Sequence, residues 1–195
     1  MVRVLIQNQI IKMIAYYYTG ADAYNAAQTD KDKSLGGYVS SSPLPNDIVG
    51  ALFGDISNYT ISNKLRETKA VVLKNQTGSD ATSITTWFEN LSTHPYINLE
   101  IAAVSLYEDT TCTPSKFSME QIINMRATPI SATFYSPSEV GSAVGLGDLA
   151  PGEMIGIWIR MTLKPEVQDY LTCENLASEP IVEVEEDVVW HLDWT

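Results

Sequence analysis

Cysteine, histidine and positive charge are all scarce in this chain. Its 195 residues contain two Cys, two His and 12 Lys plus Arg against 24 Asp plus Glu. Cys112 and Cys173 lie far apart and form neither a Cys-x-x-Cys pair nor a Cys/His metal pattern, so spacing gives no zinc site and no deducible disulfide. His94 precedes a proline and His191 follows Trp190; neither belongs to a Ser/His/Asp order or a His-x-x-x-His spacing, and loop or surface roles are expected for both. A net charge of −12 with no basic stripe argues against nucleic acid, whose phosphates are bound by clustered cations. No apolar run reaches the roughly 20 residues of a bilayer-spanning helix, so no membrane partner is expected. The first 14 residues are apolar with one Arg, but Gln7, Asn8, Gln9 and Lys12 interrupt them and no small-x-small cleavage site follows; an ordered strand or arm is expected there.

What is present is alternation. Ile155, Ile157, Ile159, Met161 and Leu163 occupy one parity and Met154, Gly156, Trp158, Arg160 and Thr162 the other, the period of a strand. Pro151-Gly152 before it suits the centre of a type II turn. Gly145-Leu-Gly147 leads into that strand without a following helix N-terminus, so it reads as turn chemistry and not as a phosphate cradle. Strands are expected at Thr68–Asn75 and Ser83–Glu89, joined as a hairpin through Gln-Thr-Gly-Ser-Asp. Further strands are expected at Ile97–Tyr107, Pro129–Tyr135 and Ile181–Trp190. Ile97, Leu99 and Ile101 oppose Val104 and Leu106 in parity, which implies a bulge or two covered faces.

Two short helices are expected. Ser118-Met-Glu-Gln121 has the form of a capping box opening two turns that end near Arg126. Asn46–Ile56 places Ile48, Leu52, Phe53 and Ile56 at helical spacing behind Pro45. Many short strands divided by Gly, Pro and Asn turns predict a mainly β fold, an antiparallel β-sandwich of immunoglobulin-like or jelly-roll type with one or two short helices and extended terminal arms. The expected division is an N-terminal arm and docking segment at 1–60, a sandwich core at 61–164, and an acidic extension at 165–195 that ends in a strand. The extension holds nine of the 24 acids and none of the 12 basic residues.

Candidate chemistry is thin. Glu183, Glu185, Glu186 and Asp187 lack the spaced Asp-rich loop of a calcium site, and a solvated acidic face is expected. Sequons begin at Asn58, Asn75 and Asn90. Trp87 and Trp158 are expected to pack within sheets, whereas Tyr16-Tyr-Tyr18, Trp190 and Trp194 lie nearer the termini, where an aromatic side chain serves an arm docking on a neighbour. The segment Ser34–Pro43, rich in Gly and Ser yet carrying Leu35, Tyr38 and Val39, is the expected docking arm. The candidate interface is Leu35, Gly36, Gly37, Tyr38, Val39, Trp190 and Trp194; no catalytic, cofactor-binding or metal-binding residue is assigned.

Several ordered patches carry a resemblance: Tyr18-Thr-Gly20, Ser34-Leu-Gly-Gly37 with Ser40-Ser-Ser-Pro43, Leu52-Phe-Gly-Asp-Ile-Ser57, Val72-Leu-Lys-Asn75, Leu146-Gly-Asp-Leu-Ala-Pro-Gly-Glu153 and Ile157-Trp-Ile-Arg160. In this order, from about Tyr18 to Leu163, they resemble a family of virion structural proteins of tailed bacteriophages. Gly54 stands where the pattern has a second acid after Phe53, and the chain from Lys164 onward lies outside the match. The resemblance implies a non-enzymatic β-sandwich particle component without cofactor, localised in the virion after assembly in the bacterial host cytoplasm. Its implied partners are the major capsid protein or other virion proteins, with homo-oligomerisation in the particle. A capsid-associated auxiliary or decoration role leads; a neck, tail or fibre-anchoring component and a carbohydrate-binding adhesion module are the alternatives.

Overall fold

The computed structural model describes residues 14–54, 66–91, 97–164 and 188–195, and they form a mainly β, sandwich-like fold. The strands are β1 (Ile14–Ala21), β2 (Gly37–Pro43), β3 (Arg66–Asn75), β4 (Ala81–Glu89), β5 (Ile97–Val104), β6 (Tyr107–Asp109), β7 (Lys116–Met119), β8 (Val144–Leu149), β9 (Met154–Leu163) and β10 (Val189–Asp193). Seven make one antiparallel sheet in the order β5-β9-β3-β1-β2-β7-β6, and three make a second in the order β10-β4-β8. Among the described residues one α-helix, α1 (Ile48–Phe53), closes one side of the core.

The long strands β3 and β9 are the spine of the larger sheet, paired without interruption from Arg66↔Thr162 to Lys74↔Met154. β9 follows the alternation of its sequence on both faces. Ile157, Ile159, Met161 and Leu163 enter the core between the sheets, together with Val71, Leu73, Ile97, Leu99 and Ile101 of the neighbouring strands and Ile84, Phe88, Leu146 and Trp190 of the smaller sheet. Trp158 points the other way and is fully buried with Val39, Ala70, Val72, Ala102, Met119 and Ile122. The centre of the larger sheet therefore buries both faces, one beneath the smaller sheet and α1, the other beneath the chain between Phe117 and Phe134. This accounts for the two parities of Ile97–Val104, whose strand has two covered faces: Ala102 and Val104 belong to the second cluster.

Pro151 and Gly152 form the expected turn before β9, with Gly152 at φ +84 and Glu153 N–H donating to the Ala150 carbonyl at 2.9 Å. The helix expected at Asn46–Ile56 is found as Ile48–Phe53, capped by the Asp47 carboxylate, which accepts from Gly50 N–H at 2.9 Å.

Three local expectations are corrected. Thr68–Asn75 and Ser83–Glu89 are strands, but not a hairpin: β3 lies in the larger sheet and β4 in the smaller. The connection changes sheets because Asn75 is buried and folds the turn over itself, donating from Nδ2 to the carbonyls of Ser79 at 2.9 Å and Leu149 at 2.7 Å, while its Oδ1 accepts from Thr77 N–H at 2.8 Å. Ser118–Arg126 is not a helix. Lys116–Met119 is β7, pairing with both β2 and β6, and the remainder is turn. With no helix there for Ser118 and Gln121 to cap, the neighbouring Glu120 carboxylate accepts from the N–H groups of Ile130 at 2.8 Å and Ser131 at 3.0 Å, which ties off the crossing segment. Pro129–Tyr135 supplies only one bridge, Ile101↔Tyr135. Two residues on, the Pro137 carbonyl accepts from Phe88 N–H at 2.8 Å, so this short stretch clips the two sheets together.

Of Ile181–Trp190, residues 181–187 lie outside the described residues. Val188 and Trp190, two residues apart on one face, are both buried. The acidic cluster from Glu183 to Asp187 also lies outside them, as do His94, Cys173 and Asn58.

Candidate functional site

The segment Ser34–Pro43 is largely woven into the sheet. Thr19 and Ser34 are fully buried where β1 stops pairing with β3. Ser34 Oγ donates to the Ala70 carbonyl at 2.7 Å and accepts from Thr19 N–H at 3.1 Å, and the Ser34 carbonyl accepts from Ala70 N–H at 2.8 Å. Thr19 Oγ1 donates to the same Ala70 carbonyl at 3.1 Å and accepts from Gly36 N–H at 3.1 Å. Ser40 Oγ accepts from Gln28 N–H at 3.0 Å and donates to the Gln28 carbonyl at 3.1 Å. The serines that suggest a pliant arm are in fact the partners of backbone groups that a bulged ladder leaves over.

The candidate interface residues therefore separate. Leu35 packs on the second core cluster and its carbonyl accepts from Ile122 N–H at 3.0 Å. Gly36 sits at φ +85 beneath the Glu120 carbonyl, and Gly37 at φ +80 pairs with Met119. Val39 is buried. Trp190 is buried between Tyr16 and Phe88, with ring centroids at 4.9 and 5.5 Å, and its indole N–H donates to Thr86 Oγ1. Trp194 packs on the rim of the same core. Tyr16 and Tyr18 point into this core too, and burial raises the pKa of both phenols. Of the seven, only Tyr38 is exposed, at 38%.

Tyr38 has company that the sequence does not announce. It lies in register with Ser118 of β7, and Ser118 lies in register with Tyr107 of β6, which is 69% exposed. Residues directly opposite in a ladder share a face, so Tyr38, Ser118 and Tyr107 form one row, the two tyrosine positions about 10 Å apart at two strand spacings. Lys116, opposite Asp109, continues that face. Met119 and Phe117 alternate to the other face, against the second cluster. The first core cluster takes its large-sheet residues from β1, β3, β5 and β9 and none from β2, β7 or β6. The row consequently stands on an end of the large sheet that reaches beyond the cover of the small one.

The groups along this end are ordered. Asp109 Oδ1 accepts from Thr111 N–H at 3.0 Å and from its hydroxyl at 2.6 Å, and these bonds hold the carboxylate below its ordinary pKa. The Cys112 thiol beside Lys116, then the nearby Tyr38 and Asp109, raise the pKa of that ammonium. Glu108 is exposed, opposite Phe117 on the reverse face, with no ion-pair partner among the described residues.

His191 does not approach any of this. It is the cross-strand partner of Trp87 on the outer face of the small sheet, stacked at 4.9 Å with planes 5° apart, and its Nε2 lies 2.8 Å from Glu89 Oε2. Among the described residues no group of three or more His, Cys, Asp or Glu could hold a metal ion. Of the sequons, Asn75 is buried and hydrogen-bonded, whereas Asn90 stands exposed at φ +63.

No protein-family model matches the chain, and comparisons with curated proteins and with solved structures find no significant match.

Proposed function

We propose that the chain is a structural component of a tailed-phage virion, a non-enzymatic capsid-associated auxiliary or decoration protein that acts by binding other virion proteins. Two things support this reading. One is the ordered set of sequence patches from Tyr18-Thr-Gly20 to Ile157-Trp-Ile-Arg160. The observation that carries it is the Tyr38–Ser118–Tyr107 row, an exposed aromatic surface fixed on a sheet that is rigidly paired elsewhere. Tyrosine suits such a surface because it brings a large contact area with only two side-chain torsions to freeze, and aromatic residues dominate interface anchors. A capsid presents each contact many times, so a modest individual affinity suffices where attachment points are linked.

Cryo-electron microscopy of the virion encoded with this sequence tests the proposal. The expected result is density for the sandwich at regularly repeated positions on the capsid. Density at the neck or tail instead would assign the chain to those structures, and its absence from purified particles by mass spectrometry would end the proposal. The tyrosine spacing is also the feature that favours the alternative of a carbohydrate-binding module, since sugar rings stack on exposed aromatics. Glycan binding lost on Tyr38→Ala and Tyr107→Ala would establish that alternative.

A further inference from the structure

β6 is the last strand of the large sheet, and among the described residues no strand pairs with its outer side. Such an edge presents backbone donors and acceptors ready for another extended segment. Its side chains specify what kind of segment fits. Tyr107 lies on the face of the exposed tyrosine row, and Glu108 lies on the reverse face beside Phe117, exposed and without an ion-pair partner among the described residues. Asp109 is already engaged by Thr111 and Cys112.

We propose that this edge accepts an extended basic segment of a partner protein, which adds an eighth strand to the large sheet. The inference rests on the reading of the chain as a contact protein and names the chemistry of its partner. In the added strand one parity is apolar and lies along Tyr107 toward Tyr38. The opposite parity carries Lys or Arg, whose charge meets Glu108 directly across the new ladder. A second copy of this chain is a poor occupant. Antiparallel pairing of Tyr-Glu-Asp with itself gathers carboxylates at the junction, and each copy brings a net charge of −12. Nucleic acid is excluded by the same sign of charge.

The test uses the full chain and two fluorescent hexapeptides, (Lys-Val)₃ and (Glu-Val)₃, with anisotropy for affinity and hydrogen exchange for location. The basic peptide is expected to bind at least about fivefold more tightly, the upper range of one cross-strand charge pair, and to slow exchange at residues 107–109. Glu108→Lys should abolish that preference, and Tyr107→Ser should weaken the basic peptide; both positions are exposed, so the fold should survive. Failure of the basic peptide to bind, protection elsewhere, or a preference indifferent to Glu108→Lys would each overturn the proposal. Concentration-dependent dimers dissolved by Tyr107→Ser would also overturn it by assigning the edge to self-association. Undiminished incorporation of the Glu108→Lys chain into virions would refute this edge alone and leave the particle role standing, whereas absence of the wild-type chain from virions would remove the role itself.

Discussion

At the scale of single residues, the sharpest constraints fall where the backbone comes closest to itself. A Cβ on Gly36 would lie 1.8 Å from the Glu120 carbonyl oxygen, and the residue already occupies φ +85. Neither backbone can yield without breaking the β2–β7 pairing or the second core cluster. Gly36→Ala is therefore expected to cost about 2 kcal/mol or more, read as a lowered denaturant midpoint. The same substitution at Gly145, where nothing lies within 4 Å and φ is not positive, should change stability by less than about 1 kcal/mol.

A second residue-scale case is the pair formed by Lys69 and Asp32. The lysine side chain is wholly buried and the aspartate 52% exposed, with Nζ 3.0 Å from Oδ1 and 2.9 Å from the Lys31 carbonyl. Burial is the largest influence on Lys69 and lowers its pKa; the hydrogen bond from Lys69 is the largest on Asp32 and lowers its pKa too. The signs give separate pH windows. A depressed carboxylate contributes stability that is complete above its ordinary value of 3.8 and is lost as pH falls through the lower folded value. A depressed ammonium carries a burial penalty that is relieved as pH rises through the folded value toward 10.5. Thermal melts across pH should show both slopes: Asp32→Asn is expected to flatten the acidic limb, and Lys69→Met the alkaline one. At neutral pH Lys69→Met should be the milder change, because removing only the aspartate leaves a buried charge without its counterion.

At the scale of elements, the outer face of the large sheet is held by a composite contact. Arg160 of β9 donates from Nε and Nη2 to the two carboxylate oxygens of its neighbour Glu100 on β5, both at 2.7 Å. Its guanidinium lies 3.9 Å above the centre of the Phe134 ring, on the segment that crosses this face. Both charged side chains are only about one-fifth exposed, so screening is weaker than at an open surface. A double-mutant cycle on Arg160→Met and Glu100→Gln should return a coupling of about 1–2 kcal/mol, and Phe134→Leu should lower it. Coupling near zero would show that the ion pair adds nothing, leaving the crossing segment to its apolar packing, the Glu120 carboxylate and the Ile101–Tyr135 backbone bonds. This element also explains a failed expectation. Ser118-Met-Glu-Gln121 matches a helix-capping pattern, yet β2 and β6 both offer ladders to Lys116–Met119, and two rows of tertiary pairing outweigh a local preference of about 1 kcal/mol.

At the scale of the whole molecule, β10 decides what the C-terminal end does. The sequence suggests an acidic extension whose aromatic residues serve an external contact, separable from a core that ends at residue 164. In the folded chain β10 is a full strand of the small sheet, paired from Val189↔Glu89 to Asp193↔Thr85, and Thr195 closes further backbone hydrogen bonds with Thr82. Trp190 fills the centre of the core. Deleting residues 188–195 should therefore give insoluble protein or loss of the cooperative melt, and Trp190→Ala alone should cost about 3–5 kcal/mol. A soluble truncation with an unchanged β-sheet circular dichroism spectrum would show that the small sheet stands without its edge strand. The N-terminal boundary is similar: β1 and β2 lie inside the large sheet, so packing is continuous across the division expected at residue 60.

The sequence by itself determined the mainly β class, the strands at Thr68–Asn75 and Ser83–Glu89, the start of the strand expected at Ile97–Tyr107, which ends at Val104 before Tyr107 opens β6, the turn at Pro151-Gly152, and both faces of β9. These are local or strictly periodic properties, written in neighbouring residues through alternation and turn chemistry. Tertiary structure alone decided which strands pair, and with that the fate of each candidate residue. Leu35, Val39 and Trp190 became packing, while Tyr38 gained Tyr107, a residue 69 positions away that no spacing rule connects to it. The reason is physical: a strand period states that one side of a residue is to be covered, whereas strand order and sheet width determine whether anything in the chain lies there to cover it.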